Sequence, residues 1–148
     1  MKRSTTLALL VFALNFGWEM AQMNRFASMQ GVPFGRTILL CARAALGDLV
    51  IFAVAFATAA LVTRDLAWPV RNRRWAGVFV CLTSGLLITI VYERHAVGSG
   101  VWTYDARMPL VFGIGVAPIV QWLAIPAIAL ATYRVLWRAR PTSDRTTM

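Results

Sequence analysis

Residues 38–62 read ILLCARAALGDLVIFAVAFATAALV. Arg43 and Asp48 are the only charged residues in this apolar run. It is long enough to cross a bilayer, whose hydrocarbon core of about 30 Å takes about 20 helical residues. Backbone polar groups find no water in hydrocarbon, so such a run is a helix whose N–H and C=O groups bond within the segment. An amphipathic surface helix of a soluble domain would carry a broad polar face, and this stretch has none.

Working outward, residues 5–23, 75–92 and 110–137 repeat the pattern. The whole chain agrees. Of 148 residues, 59% are hydrophobic and 14% charged, against roughly one-quarter charged in a soluble domain. A chain this short cannot hide so large an apolar surplus inside a water-soluble fold. A transmembrane barrel would show short alternating strands, and none are evident. The expected fold is all-α: a polytopic membrane protein of four transmembrane helices in one bundle, residues 1–140, followed by a disordered tail, 141–148. The segment 5–23 is read as a retained helix, because Trp18-Glu19-Met20 stands where a signal-peptide cleavage site would fall.

The net charge of +9 would suggest nucleic acid in a soluble protein. Here the basic residues flank apolar runs, where they set orientation and meet anionic lipid, so no nucleic-acid partner is expected. Lys2, Arg3, Arg64, Arg71, Arg73, Arg74, Arg134, Arg138, Arg140 and Arg145 fall on one side of the expected topology; Arg25, Arg36, Arg94 and Arg107 fall on the other. The bias puts both termini in the cytoplasm of a bacterial inner-membrane protein. Trp68, Trp75, Tyr133 and Trp137 are expected at the inner interface, and Trp18, Tyr92, Trp102 and Tyr104 at the outer one. Cys41 and Cys81 are read as buried thiols near opposite faces. Ala53, Ala57 and Ala60 are read as a close-packing stripe on the second helix, with Gly113 and Ala117 beginning another on the fourth.

Function is sought where the sequence places polar groups in lipid, since these are expensive and face the bundle interior. Asn15, Glu19 and Gln22, spaced i, i+4, i+7, share one helix face. At about 1.5 Å per residue, Glu19 and Arg43 lie about 6 and 7 Å below the outer ends of their helices. This predicts a salt bridge between them. Asn15, Asp48 and Gln121 lie nearer mid-membrane, and Glu93 stands at the outer end of the third helix. Pro118 and Pro126 bracket Gln121-Trp122 and are expected to kink the fourth helix, freeing carbonyls at Ile114 and Trp122. The loop 97–109, with Trp102 and Tyr104, is read either as a lid over this site or as an interfacial anchor. His95 is placed in the wider outer loop, 93–109. No metal-ligand cluster, phosphate loop or serine triad motif occurs, and neither cofactor nor metal is expected.

Two resemblances follow from these residues. Trp18-Glu19 with Gln22, Gly47-Asp48, Glu93 before Trp102-x-Tyr104, Met108-Pro109, and Pro118 before Gln121 resemble small bacterial four-helix integral membrane proteins, which implies no activity. Asn15 to Glu19, N-F-G-W-E, is similar to the N-x-x-W-E signature of integral-membrane terpene cyclases. That resemblance implies an embedded acid that protonates a prenyl epoxide or alkene, with Glu19 as the donor. The seven-helix length of that family is not matched.

Three readings stay open. The first is an outward-opening intramembrane pocket that binds a lipid or prenyl-type ligand, or catalyses its rearrangement by acid. Glu19 or Asp48 would then be the acid, with Asn15, Gln22, Arg43, Glu93, Trp102, Tyr104, Gln121 and Trp122 around the ligand. The second is a structural or accessory subunit whose polar groups lock helix register. The third is a small-solute or proton-coupled transporter, working as a homo-oligomer.

Overall fold

A computed structural model describes residues 3–71 and 74–138. The expected tail 141–148 lies outside them, as do Lys2, Arg73, Arg140 and Arg145. Four long helices dominate: α1 Arg3–Gln22, α2 Phe34–Thr63, α3 Arg74–Gly98 and α4 Val116–Arg138. All four are long and apolar enough to cross a membrane. α1 packs on α2 and α4, and α3 packs on the same two, giving an up-down ring. Two connections, 23–33 and 99–115, meet at one end of the bundle (the loop end). The connection after α2 lies at the other, together with the start of α1 and the end of α4 (the termini end).

Helix boundaries depart from the apolar runs wherever capping chemistry overrides hydropathy. α2 begins at Phe34, four residues before the expected start, because Pro33 supplies the first carbonyl and Thr37 N–H donates to it at 2.9 Å. α3 continues past residue 92 through Glu93 and His95, which are therefore helical, and stops at Gly98. There Gly100 adopts φ 71°. Val101 N–H reaches the Ala96 carbonyl at 2.9 Å and Gly100 N–H the Val97 carbonyl at 3.2 Å, the paired bonds of a Schellman cap. α2 closes the same way on Arg64, which takes φ 52° without being glycine.

The largest correction falls on the fourth segment. Its first residues are a hairpin of β1 Leu110–Val111 and β2 Ile114–Gly115, paired antiparallel. Phe112 and Gly113 both have positive φ, 50° and 78°, as a two-residue hairpin turn of the primed type requires. Gly113 is thus a turn residue, not the start of a packing stripe. Pro118 falls in the first turn of α4, where a missing N–H costs nothing, so it does not kink the helix. Pro126 is inside α4 and leaves the Trp122 carbonyl without its usual donor.

The apolar core fills the termini half of the bundle. Val11, Phe52, Ala55, Ala59, Cys81, Ala129 and Leu130 are buried there. Trp68, expected at an interface, is 1% exposed. Its ring lies against Gly77, where a Cβ would stand 2.3 Å from ring carbon Cε3, and 5.2 Å from the Phe56 ring. The packing face of α2 carries Cys41, Ala45, Phe52, Ala55 and Ala59. Ala53 and Ala57 point away from the bundle, so of the expected stripe only Ala60 is buried. Both thiols are free and buried.

Candidate functional site

The packing faces of α1 and α2 bring the site together. α1 turns Asn15, Glu19 and Gln22 inward, and α2 turns Cys41, Ala45 and Asp48 towards them at the same helical spacing. Gln121, on α4, is the hub. Its Nε2 donates to Asn15 Oδ1 at 2.9 Å, Glu19 Oε1 at 3.1 Å and Asp48 Oδ2 at 2.9 Å. Gln22 Nε2 donates to Glu19 Oε1 at 2.8 Å and to Gln121 Oε1 at 3.3 Å. Trp18 Nε1 closes the set on Gln22 Oε1 at 2.9 Å. Asn15 donates to the Val11 carbonyl at 2.9 Å. The amides Asn15, Gln22 and Gln121 are buried, whereas Glu19 and Asp48 are half-buried.

Two carboxyl oxygens that share one nitrogen at 3.1 and 2.9 Å lie within about 6 Å of each other. Among the described residues no cation faces them. Arg43 is the correction. It is exposed on the opposite side of α2 and makes no ion pair with Glu19. With Asp48 turned inward, a residue five positions earlier sits about 140° around the helix, so Arg43 faces outward.

A second cluster covers the loop end. Glu93, 7% exposed, takes Trp102 Nε1 at 3.3 Å and Tyr104 Oη on the same oxygen, Oε2. Burial first, then its bond to the Glu93 carboxylate, push the Tyr104 hydroxyl above its ordinary value of 10.0. Tyr104 therefore stays an O–H donor through the neutral range. Trp102 and Tyr104 also pack against Phe26 of the other loop, at ring separations of 6.4 and 5.7 Å. The two loops are stitched by Ala27 N–H to the Thr103 carbonyl and Asp105 N–H to the Arg25 carbonyl, both 2.9 Å. Gln30 donates to Asp105 Oδ2. Arg107 bonds Asp105 Oδ1 at 2.6 Å and the Asn24 carbonyl at 2.9 Å.

Family models, curated proteins and solved structures give no match to this chain. Its chemistry is read from the site itself.

Of the sequence-derived candidates, Asn15, Glu19, Gln22, Asp48 and Gln121 form one network, with Trp122 against it. Glu93, Trp102 and Tyr104 form the adjacent one, and Arg43 belongs to neither. Trp122 is 3% exposed, and its ring edge fills the gap left by Gly85, where a Cβ would stand 2.3 Å from Cζ3. Its Nε1 is buried and makes none of the hydrogen bonds of the network. Sequence reasoning missed Thr89, buried one turn before Glu93 on the same face; that i, i+4 spacing was the available signal. Among the described residues no group of three or more His, Cys, Asp or Glu is placed to hold a metal ion.

Proposed function

We propose that this chain is a multi-pass protein of a bacterial inner membrane, both termini cytoplasmic, whose outer half binds a lipid or prenyl-type ligand and protonates it. Glu19 and Asp48 are the acids, Gln121, Asn15 and Gln22 hold them in place, and Trp18 and Trp122 lie beside them. One observation carries the reading: two half-buried carboxyls converge on one amide nitrogen, with no cation facing them among the described residues. Embedded acids of this kind mark proton and ligand chemistry more than scaffolding. An acid placed to give a proton to a bound group needs to stay reachable, and these two are, while the amides beneath are not. The apolar core in the termini half favours a one-sided site over a transport path.

The test is photolabelling of the full chain in nanodiscs with a diazirine-bearing prenyl alcohol. Saturable label on segments 15–22 and 41–48, reduced in Glu19→Gln and Asp48→Asn proteins that still fold, is the expected result. Label spread without saturation over lipid-facing Leu39, Val50 and Phe79 would overturn it. A helix-locking role is the second reading, favoured by the bonds that all three amides make. Under it the two isosteric variants, which keep those bonds, leave every property of the protein unchanged.

A further inference from the structure

The outward face of α2 carries a cation that the described chain leaves without a counter-charge. α2 spans 30 residues, about 45 Å, against a hydrocarbon core of about 30 Å. With the excess shared between its ends, Arg43 stands about 6 Å inside the hydrocarbon. It is exposed and makes no hydrogen bond or ion pair with the described residues. An ionised group at that depth is costly unless something meets it. Every acid among the described residues is engaged elsewhere. Glu19 and Asp48 are turned inward on Gln121, and Glu93 is buried and bonded to Trp102 and Tyr104. Asp105 is tied to Arg107 in the loops, and Asp65 to Arg71 past the far end of α2. A second copy of the chain would bring the same acids, engaged in the same way. Arg36 lies seven residues before Arg43, nearly two turns, so both fall on one face, about 10 Å apart along the axis. Arg36 is exposed too. Helical side chains lean towards the N-terminus, so Arg43 reaches up towards the level of Arg36. Beneath Arg43 the face continues with Gly47, Val50 and Val54, all exposed. A Cβ at Gly47 would meet nothing within 4 Å, so the helix surface is open there.

We propose that this face of α2 binds one anionic glycerophospholipid, its phosphate held by Arg36 and Arg43 and an acyl chain lying along Gly47, Val50 and Val54. The forked donors of a guanidinium match phosphate oxygens two at a time. A long arginine side chain in hydrocarbon sends its head to the polar boundary, which is where a lipid carries its phosphate. The charge balance selects an anionic lipid over a zwitterionic one. α2 has no acid in its first turn, so Arg36 adds to the positive end of the helix. A headgroup with its own cation would enter the field of two arginines, whereas a net negative headgroup offsets both. A phosphate ester without chains would leave Val50 and Val54 uncovered, so the occupant is a lipid. The inference rests on the membrane reading above but not on the acid chemistry, because Arg43 lies around α2 from Asp48.

The test is native mass spectrometry of the full chain in neutral detergent, titrated with phosphatidylglycerol or with phosphatidylcholine of the same acyl chains. One phosphatidylglycerol per chain is expected, bound about tenfold more tightly than phosphatidylcholine. Arg43→Gln, and separately Arg36→Gln, should weaken it about tenfold, the loss of one hydrogen bond to a charged group. Arg94→Gln, which removes an exposed arginine at the same end of the bundle, should leave binding unchanged. Glycerol phosphate, the same anion without chains, should not displace the lipid. Equal binding of the two lipids overturns the proposal. So does an Arg94→Gln effect as large as that of Arg43→Gln, and so does displacement by glycerol phosphate. A dimer in lipid-free detergent that Arg43→Gln abolishes would put a second copy on this face and overturn the lipid. If the arginine variants fail to fold, phosphatidylglycerol with a diazirine in its acyl chain decides, by labelling residues 47–54 of the unaltered chain or missing them. Glu19→Gln and Asp48→Asn should leave this lipid bound whether or not the acid reading holds. Loss of the lipid in either would place it at the acid site and overturn this one. A chain that stays in water when vesicles are offered overturns the membrane reading itself, and this site with it.

Discussion

An amide nitrogen has two hydrogens, and Gln121 Nε2 meets three acceptors, on Asn15, Glu19 and Asp48. Replacing Gln121 by Leu leaves those oxygens without their shared donor, and each unsatisfied polar group in a buried setting costs about 1–3 kcal/mol. A loss of about 2–5 kcal/mol is expected, read as a lowered unfolding midpoint in micelles. Arg43→Gln should do the opposite of what a buried ion pair implies. Arg43 touches neither carboxyl, so the change stays within about 0.5 kcal/mol. A drop as large as that of Gln121→Leu would restore the salt bridge. The sequence made Asn15, Glu19 and Gln22 legible as one face, and the depth of Glu19 and Arg43 legible as similar. It did not rank rotation above depth. The five-residue step from Arg43 to Asp48 already said that both cannot point inward. Asp105 supplies the pH prediction. The Arg107 side chain, then its backbone N–H, hold the Asp105 carboxyl below its usual 3.8. A depressed acid contributes stability above its unfolded value and loses it as pH falls through the folded one. The stitch between the loops should therefore loosen only on acidification below that range. Proteolysis of segments 23–33 and 99–109 in nanodiscs should accelerate there, and Asp105→Asn should remove the pH dependence.

At the scale of an element, helix packing here depends on two glycines that take indole rings. Gly85 on α3 receives Trp122 from α4, and Gly77 on α3 receives Trp68 from the α2–α3 connection, each with ring carbon 2.3 Å from where a Cβ would stand. Gly85→Ala should force the rigid Trp122 ring off its seat at a cost of about 1–3 kcal/mol, and shift the indole resonance of Trp122 while leaving that of Trp68 in place. The reverse is expected at the end of α2. Arg64 holds a left-handed conformation that favours glycine. Arg64→Gly should raise the unfolding midpoint, by the equivalent of about 1 kcal/mol. The apolar runs made all four helices legible because hydropathy alone selects them. Their ends were not, since caps decide ends. Residues 110–115 are as apolar as a helix start, yet two successive positive φ values make them a hairpin. Glu93, Arg94 and His95 look like the beginning of a loop. They stay helical, and Glu93 is met by Trp102 and Tyr104 from the loop that follows, nine and eleven residues on.

For the whole molecule, the ring of helices places both long loops at one end and puts the carboxyl clusters in the half nearest them, above an apolar core. Which compartment those loops face follows from charge. Arginine and lysine near the ends of short loops resist translocation, whereas acidic residues contribute little. Ten of the fifteen Lys and Arg residues lie at the ends or in connections of the termini side, and four on the loop side. Reporter fusions after Gly31, Pro69, Ser99 and the C-terminus should therefore read out, in, out, in. The bias is a competition, so it should be reversible. Neutralising Arg71, Arg73 and Arg74 removes a block that no other connection replaces, while lysines added at 27–30 strengthen the opposing side. Together these changes should yield a population with the inverted pattern, and neither alone should suffice, because under the proposed orientation Arg134, Arg138, Lys2 and Arg3 still favour ends that stay inside. An outward C-terminus in the unaltered protein would overturn the orientation. It would also turn the cluster of Tyr104 and Glu93 towards the cytoplasm, and the proposed ligand site with it.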